Sequence, residues 1–98
     1  MNEKPIFDAP KTTLELAQDF LADVSEMLAD KNRRYGNSAA DPVRIFSKAP
    51  PDEQLLVRID DKLSRIVRGA GLDHDNEDVL ADLVGYLALL VGVRKALQ

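Results

Sequence analysis

The residues best suited to chemistry form a band of charges on one predicted helix. Arg58, Asp61, Lys62 and Arg65 stand at positions i, i+3, i+4 and i+7, which places all four side chains on one helical face. Charges on a surface helix are usually scattered, whereas both signs line up in this band. We therefore expect the band to face a neighbouring helix, either as a structural ion-pair network or as a binding site.

A second predicted helix carries a matching stripe of acids. Asp78 and Asp82 lie one turn apart, and Tyr86 follows one turn later. Two helices with such stripes predict a polar seam inside a helical bundle. In the structural alternative, the basic residues of the first band neutralise Asp61 and the two acids of the second helix, and so fix the register between the helices.

The net charge of −4 hides an asymmetry along the chain. Residues 1–30 carry a net charge of −5, residues 31–68 carry +4 and residues 69–98 carry −3. An acidic protein with one local basic region is a poor general nucleic-acid binder, because such binders spread basic residues over a whole face. The basic middle third could instead receive a small polyanion such as a nucleotide.

Length and composition limit the remaining possibilities. The 98 residues predict one domain, and the absence of cysteine is typical of a reducing cytoplasm. The first residues lack the features of a secretory signal. The longest apolar run, Leu83 to Val93, is shorter than the roughly 20 residues that span a bilayer, so we expect no membrane partner. We expect His74, which lies among acids, to be a solvated loop residue.

The predicted fold is all-α, with an extended N-terminal arm over residues 1–11 and a single domain over residues 12–98. Thr12 and Glu15 form the pattern of a capping box, which begins a helix over about 12–35. Gly36 is suited to end that helix in the left-handed region. Basic residues in its last turns favour the negative end of the helix dipole and equally suit an anion site.

Two further long helices are predicted, over about 52–68 and 76–97. Pro50 and Pro51 open the first of them, and Asp75 caps the second. Between the first two long helices, Asp41 and Pro42 predict a short helical turn over 42–47. We expect this turn to be held against the core by three apolar side chains: Val43, Ile45 and Phe46.

The last helix bears a seam of small residues at heptad spacing: Ala81, Gly85, Ala88 and Gly92. A glycine inside a helix costs up to about 1 kcal/mol relative to alanine, so two of them indicate a close approach by another helix. The stretch from Leu83 to Val93 is also apolar on nearly every side, as in a helix that is enclosed all round. We therefore predict a homo-oligomer, most simply a dimer with a shared bundle, whose assembly Gly85→Leu or Gly92→Leu would disrupt.

The order of these motifs resembles a known family. The matching strings are Lys31-Asn32, Tyr35-Gly36-Asn37, Arg58-x-x-Asp61-Lys62-x-x-Arg65 and Asp78-x-x-x-Asp82-Leu83-x-Gly85-Tyr86. They are similar to the phage and prophage family called nucleotide modification associated domain 1, described as dATP/dGTP diphosphohydrolase-like. More distantly, they resemble the MazG-like all-α nucleoside triphosphate pyrophosphatases.

The MazG resemblance implies an oligomeric helical bundle in which acids from two adjacent helices hold Mg²⁺, while water attacks between the α- and β-phosphates. The three acids that could act as ligands are Asp61, Asp78 and Asp82. The family has an E-x-x-E pair on one helix and E-x-x-D on the next, so this chain lacks one acid of that pattern. The residues implied in substrate binding are Lys31, Tyr35, Asn37, Arg44, Lys48, Arg58, Lys62 and Arg65.

Three functions follow from these patterns. One is a Mg²⁺-dependent nucleoside triphosphate pyrophosphohydrolase, which the family layout favours. The second is a non-catalytic binder that sequesters a nucleotide or a nucleotide-derived defence signal in the cytoplasm of a phage's bacterial host, which the missing acid favours. The third is an oligomeric interaction module without a ligand.

Overall fold

A computed structural model describes residues 9–40, 45–69 and 77–98, with only the backbone of residues 77 and 78. Three helices account for most of these ranges: α1 over Thr13–Tyr35, α2 over Pro51–Val67 and α3 over Glu77–Ala96. The described ranges contain no strand. The prediction of an all-α fold with three main helices is therefore confirmed, and each described helix end lies within one residue of its predicted position.

The start of α1 follows the predicted capping box. The backbone N–H of Thr12 donates to Oε1 of Glu15 at 2.9 Å, and the backbone N–H of Glu15 donates to Oγ1 of Thr12 at 3.1 Å. The helix ends at Gly36, whose φ of +67° favours glycine as predicted. Its ψ of −162° differs from that of a left-handed helical cap, so the chain leaves the helix in an extended direction.

The ends of α2 and α3 follow from local chemistry in the same way. Pro51 occupies the first turn of α2. A backbone N–H at this position has no acceptor within the helix, so proline, which lacks the N–H, loses no hydrogen bond there. Beyond the end of α2, Gly69 adopts a φ of +96°. Arg94 and Lys95 lie in the last turn of α3, at the negative end of its dipole. The predicted cap Asp75 and the predicted loop residue His74 lie outside the described residues.

The sequence predicted a helical turn over 42–47 in the connection between α1 and α2. This prediction was wrong for the part of the turn that the structure describes, residues 45–47. Ile45 and Phe46 lie in a bend rather than a helix, and Phe46 is 96% exposed. These side chains therefore do not hold the connection against the core. The rest of the predicted turn, at 42–44, lies outside the described residues, as does most of the predicted N-terminal arm.

The core lies between α2 and α3. Leu55 and Ile59 of α2 are buried against Leu90 and Val93 of α3. Helix α1 also packs on α3, and among the described residues the two outer helices make no comparable contact with each other. Helix α3 is therefore the central element, with α1 and α2 both packed on it.

Helix α1 contacts α3 through its C-terminal half, where Val24, Met27 and Leu28 approach Gly85. Val24 is its one buried residue, whereas Leu14, Leu16 and Leu21 are more than half exposed. Helix α3 likewise keeps Leu87 and Val91 exposed, so the described residues of a single chain do not enclose it. Within the described ranges, every helix is too short or too polar to cross a membrane.

Candidate functional site

A cavity of about 490 Å³ lies where the C-terminal half of α1 approaches α3. This volume is within the range of small-molecule sites in proteins, about 300–1,000 Å³. All three helices and the segment after α1 contribute to its wall. The lining residues are Met27, Leu28, Lys31, Asn32, Tyr35, Gly36, Ser38, Ala39, Arg58, Asp82, Gly85, Tyr86 and Leu89.

Gly85 sets the distance between the two walls of the cavity. A Cβ atom placed on Gly85 would lie 3.4 Å from Cδ2 of Leu28 and 3.4 Å from Cε of Met27. A larger side chain would therefore push α1 away from α3. The helix next to this glycine is α1 of the same chain, and it makes ordinary van der Waals contact through its side chains. The predicted close approach by a helix of another copy stays a prediction. At Gly92, the other glycine of the seam, no described atom lies within 4 Å of such a Cβ.

Two cations point to the space between the walls. Arg58 comes from α2, and its guanidinium carbon lies 6.0 Å from the centroid of the Tyr86 ring, a cation–π distance. No carboxylate of the described residues forms a salt bridge with Arg58. Lys31 comes from α1, and its Nζ is 3.9 Å from Oδ1 of Asp82, at the outer limit of an ion pair. Both cations therefore keep most of their capacity to bind an anion.

The charged band of α2 divides into two parts. Nζ of Lys62 lies 3.0 Å from Oδ2 of Asp82, and the two side chains are only 13% and 26% exposed. Arg65 instead pairs with Asp61 along α2 at 3.4 Å, and both of these side chains are exposed. The seam between α2 and α3 is thus one half-buried ion pair flanked by Arg58, and the second pair lies outside it.

Aromatic and polar groups complete the cavity. The Tyr86 ring is half-buried, whereas Tyr35 is exposed and carries the guanidinium of Arg34 at 5.4 Å from its ring centroid. Asn32 and Ser38 add neutral hydrogen-bonding groups to the same wall. Lys31 and Arg58 line the cavity with one carboxylate of the described residues, Asp82, which Lys62 also neutralises, so the electrostatic balance of these groups favours an anion.

The structure brings together only part of the predicted binding set. Lys31, Tyr35 and Arg58 line the cavity, and Lys62 reaches its edge through Asp82. Three other predicted binding residues do not line it: Asn37, Lys48 and Arg65. Arg44 lies outside the described residues.

The predicted metal ligands are not gathered in the described part of the chain. Asp82 lines the cavity with both carboxylate oxygens facing lysines, while Asp61 lies outside the cavity and pairs with Arg65. The side chain of Asp78 is outside the described residues, although its backbone lies one turn before Asp82 on α3. Over the described ranges, no three side chains of the ligating types cluster closely enough to hold a metal ion. These contacts do not fit a Mg²⁺ centre, which needs several free oxygen ligands.

Several lining residues were not assigned to the site from the sequence. Tyr86 stands four residues after Asp82, and this spacing alone places it on the same face of α3. Asn32 stands beside Lys31 in the family-like string. Met27, Leu28 and Leu89 had no such signal, because apolar residues at helical spacing are read as core.

A second cavity, of about 460 Å³, lies on the other side of Arg58. It is more apolar, and its lining includes the exposed side chains Ile45, Phe46 and Val57. Arg58 lines both cavities, so the two cavities adjoin at this residue.

Comparisons of this chain with protein-family models, with curated proteins and with solved structures return no match.

Proposed function

We propose that the protein binds a nucleotide, or a small nucleotide-derived anion, in the cavity between α1 and α3. The observation that carries this proposal is the pairing of two anion-binding groups, Lys31 and Arg58, with the aromatic rings of Tyr35 and Tyr86 around one cavity. The motif resemblance to phage nucleotide-related proteins supports the same class of ligand.

The phosphate groups would lie between Lys31 and Arg58. An arginine that lacks a carboxylate partner presents a planar set of donors that matches two phosphate oxygens. The ammonium of Lys31 acts as a point charge on the opposite wall, and its 3.9 Å separation from Asp82 leaves it free to turn towards a phosphate.

The base would lie on the apolar and aromatic side of the cavity. Base–aromatic stacking contributes about 1–3 kcal/mol per base, and both Tyr35 and Tyr86 offer a ring. Met27, Leu28 and Leu89 provide the apolar surface that lines the remaining wall. Asn32 and Ser38 are placed to hydrogen-bond polar edges of a base or sugar.

Binding without turnover is the form of this function that the contacts favour. Among the described residues, Asp82 is the one carboxylate that lines the cavity, and Nζ of Lys62 lies 3.0 Å from it. Hydrolysis by the family mechanism needs several acids that are free to take Mg²⁺. We therefore propose a binder that sequesters its ligand, and the pyrophosphohydrolase remains the alternative that the assay below distinguishes. We also propose that the protein is a homo-oligomer, because α3 leaves Leu87 and Val91 exposed in a single chain.

The proposal is tested by titrating the purified protein with a panel of nucleoside mono-, di- and triphosphates, with and without Mg²⁺. Thermal stabilisation reports binding, and pyrophosphate release reports turnover. We expect stabilisation without release. Release that requires Mg²⁺ would select the enzyme, and no stabilisation by any member of the panel would favour an interaction module without a ligand.

Matched variants on α2 connect the binding to the cavity. Arg58→Gln removes a cation that lines the cavity, and we expect it to weaken binding at least about tenfold, the loss typical of a charge-assisted hydrogen bond. Arg65→Gln removes the same charge two turns later on the same helix, where Arg65 pairs with the exposed Asp61. Binding that responds equally to both variants would show a diffuse electrostatic effect instead of a site.

A further inference from the structure

The helices α1 and α3 separate on the side of Gly85 that lies away from the cavity. The two helices run antiparallel, because Lys31 is near Asp82 while Val24 lies further along α3, within 3.9 Å of the Cβ position of Gly85. One and two turns beyond Gly85 on the same face come Ala88 and Gly92. Both are exposed, and no described atom comes within 4 Å of a Cβ on Gly92.

The facing part of α1 is exposed as well. Leu21 and Leu14 are 54% and 65% exposed, although they continue the stripe whose next member, Val24, is 4% exposed. Ala17 lies between these leucines at heptad spacing. The α1–α3 gap is therefore the space between Leu14, Ala17 and Leu21 on one side and Ala88 and Gly92 on the other.

The two sides of the gap are complementary in size. The α1 side presents large leucines, whereas the α3 side presents small residues that let another helix approach closely, as Gly85 does for α1. The surface of the gap continues the contact that α1 makes with α3 at Gly85. In both places, apolar side chains of α1 lie opposite small residues of α3. A contiguous apolar patch on a protein surface usually marks an interaction site, so this exposed surface is suited to bind a partner.

We infer that the α1–α3 gap is closed by the N-terminal half of α1 from a second copy of this chain. In a two-fold dimer, each α1 would enter the gap of the other copy, so its leucines would meet both the small residues of α3 and the leucines of the other α1. Such a contact is self-complementary, as a two-fold interface requires. This inference depends on the proposed homo-oligomer and does not depend on nucleotide binding.

The charges next to the gap favour the same partner. The polar side of α1 is acidic, and Asp23 has no salt-bridge partner among the described residues. Arg94 and Lys95 at the end of α3 have no carboxylate partner in the same ranges. The α1 helix of a second copy would bring its acidic side chains beside Arg94 and Lys95 while its apolar stripe fills the gap. One chain therefore contains both complementary surfaces of the interface.

The test measures molecular mass in solution by sedimentation at micromolar concentration. Leu21→Glu places a charge on the α1 stripe, at a residue whose exposure makes the change tolerable in a folded monomer. We expect it to raise the dimer dissociation constant about 100-fold or more, because each copy contributes the altered residue to an apolar contact. Ala22→Glu changes an exposed residue about 100° around α1 from Leu21 and outside the apolar stripe, so it is the matched control and should leave the dimer intact.

Cross-linking identifies the helix that occupies the gap. The chain has no cysteine, so Ala17→Cys introduces a single thiol on the α1 stripe. We expect mild oxidation to yield a disulfide-linked dimer from this variant and much less from Ala22→Cys. A wild-type monomer would overturn both the oligomer and the inference. A dimer that survives Leu21→Glu, or whose Ala17→Cys variant does not cross-link, would overturn the assignment of α1 while retaining the oligomer.

Discussion

The ammonium of Lys62 on α2 lies 3.0 Å from the carboxylate of Asp82 on α3. Asp82 lines the cavity and Lys62 does not, so this carboxylate belongs both to the packing of two helices and to the candidate site. The ion pair holds the N-terminal half of α3 beside α2. It also keeps Asp82 occupied by a cation of the protein itself.

The first prediction concerns the stability that this pair supplies. Asp82→Asn leaves the half-buried ammonium of Lys62 without its charged partner, and we expect the free energy of unfolding to fall by about 1–3 kcal/mol. Urea denaturation followed by circular dichroism measures the change. In a double-mutant cycle with Lys62→Met, the loss in the double variant should be smaller than the sum of the single losses. Unchanged or increased stability in Asp82→Asn would contradict the structural role of the pair.

The second prediction concerns the contact at Gly85. Gly85→Leu places a large side chain where a Cβ already lies 3.4 Å from Leu28 and Met27. Overpacking of this kind typically costs about 1–3 kcal/mol, so the denaturation midpoint should fall.

Gly92→Ala is its control within the same helix, compared in the Leu21→Glu background, where no second copy is expected to fill the α1–α3 gap beside Gly92. It adds a methyl group where no described atom lies within 4 Å, and the higher helix propensity of alanine should stabilise the chain by up to about 1 kcal/mol. Equal effects of the two substitutions would mean that α1 does not press against Gly85.

The helices could be predicted from the sequence because their signals are local. Thr12 and Glu15 form a capping box that depends on four consecutive residues, and Pro51 begins α2 for an equally local reason. The exposure of Ile45 and Phe46 could not be predicted in this way. A connection has no helical or strand periodicity to show whether a side chain faces the core. A prediction based only on the apolar character of Ile45 and Phe46 therefore placed them in the core incorrectly.

The candidate site could be predicted only in part. Helical spacing shows which residues share one face of a helix, but it does not show which other helix that face contacts. Arg58, Lys62 and Arg65 share one side of α2, yet the structure turns Arg58 and Lys62 towards α3 and leaves Arg65 with Asp61. The angle at which α2 crosses α3 decides which members of the band meet the neighbour. That angle depends on the packing of Leu55 and its neighbours over the whole core, which no short motif specifies.

The third prediction concerns pH and the start of α1. The backbone N–H of Thr12, which donates to the carboxylate of Glu15, lowers the pKa of Glu15 below its ordinary value. A lowered pKa in the folded state means that the ionised carboxylate stabilises the fold at neutral pH. This contribution is lost as pH falls through the folded pKa, which lies below the ordinary pKa of a glutamate side chain.

Glu15→Gln tests this sign. Wild type should have the higher denaturation midpoint at pH 7, and the difference from Glu15→Gln should shrink as pH falls below the ordinary pKa of glutamate and the carboxyl group takes up its proton. Glu26→Gln makes the same chemical change in the middle of α1, where no capping contact exists among the described residues. A difference at Glu15 that is independent of pH would contradict the assignment.

The fourth prediction separates recognition of the base from recognition of the phosphates. Tyr86 lines the cavity and faces Arg58 across 6.0 Å, so its ring is placed to stack on a base. Tyr86→Leu keeps an apolar side chain in the core but removes the ring, and we expect nucleotide affinity to fall about tenfold, within the 1–3 kcal/mol typical of stacking. Tyr86→Phe retains the ring and should bind nearly as well as wild type.

Titration calorimetry with a nucleoside triphosphate and with inorganic triphosphate gives the comparison. Tyr86→Leu should weaken only the nucleoside triphosphate, whereas Arg58→Gln should weaken both, because its charge meets the phosphates. If Tyr86→Leu weakens inorganic triphosphate equally, the ring acts by positioning Arg58, and the base must bind elsewhere in the cavity.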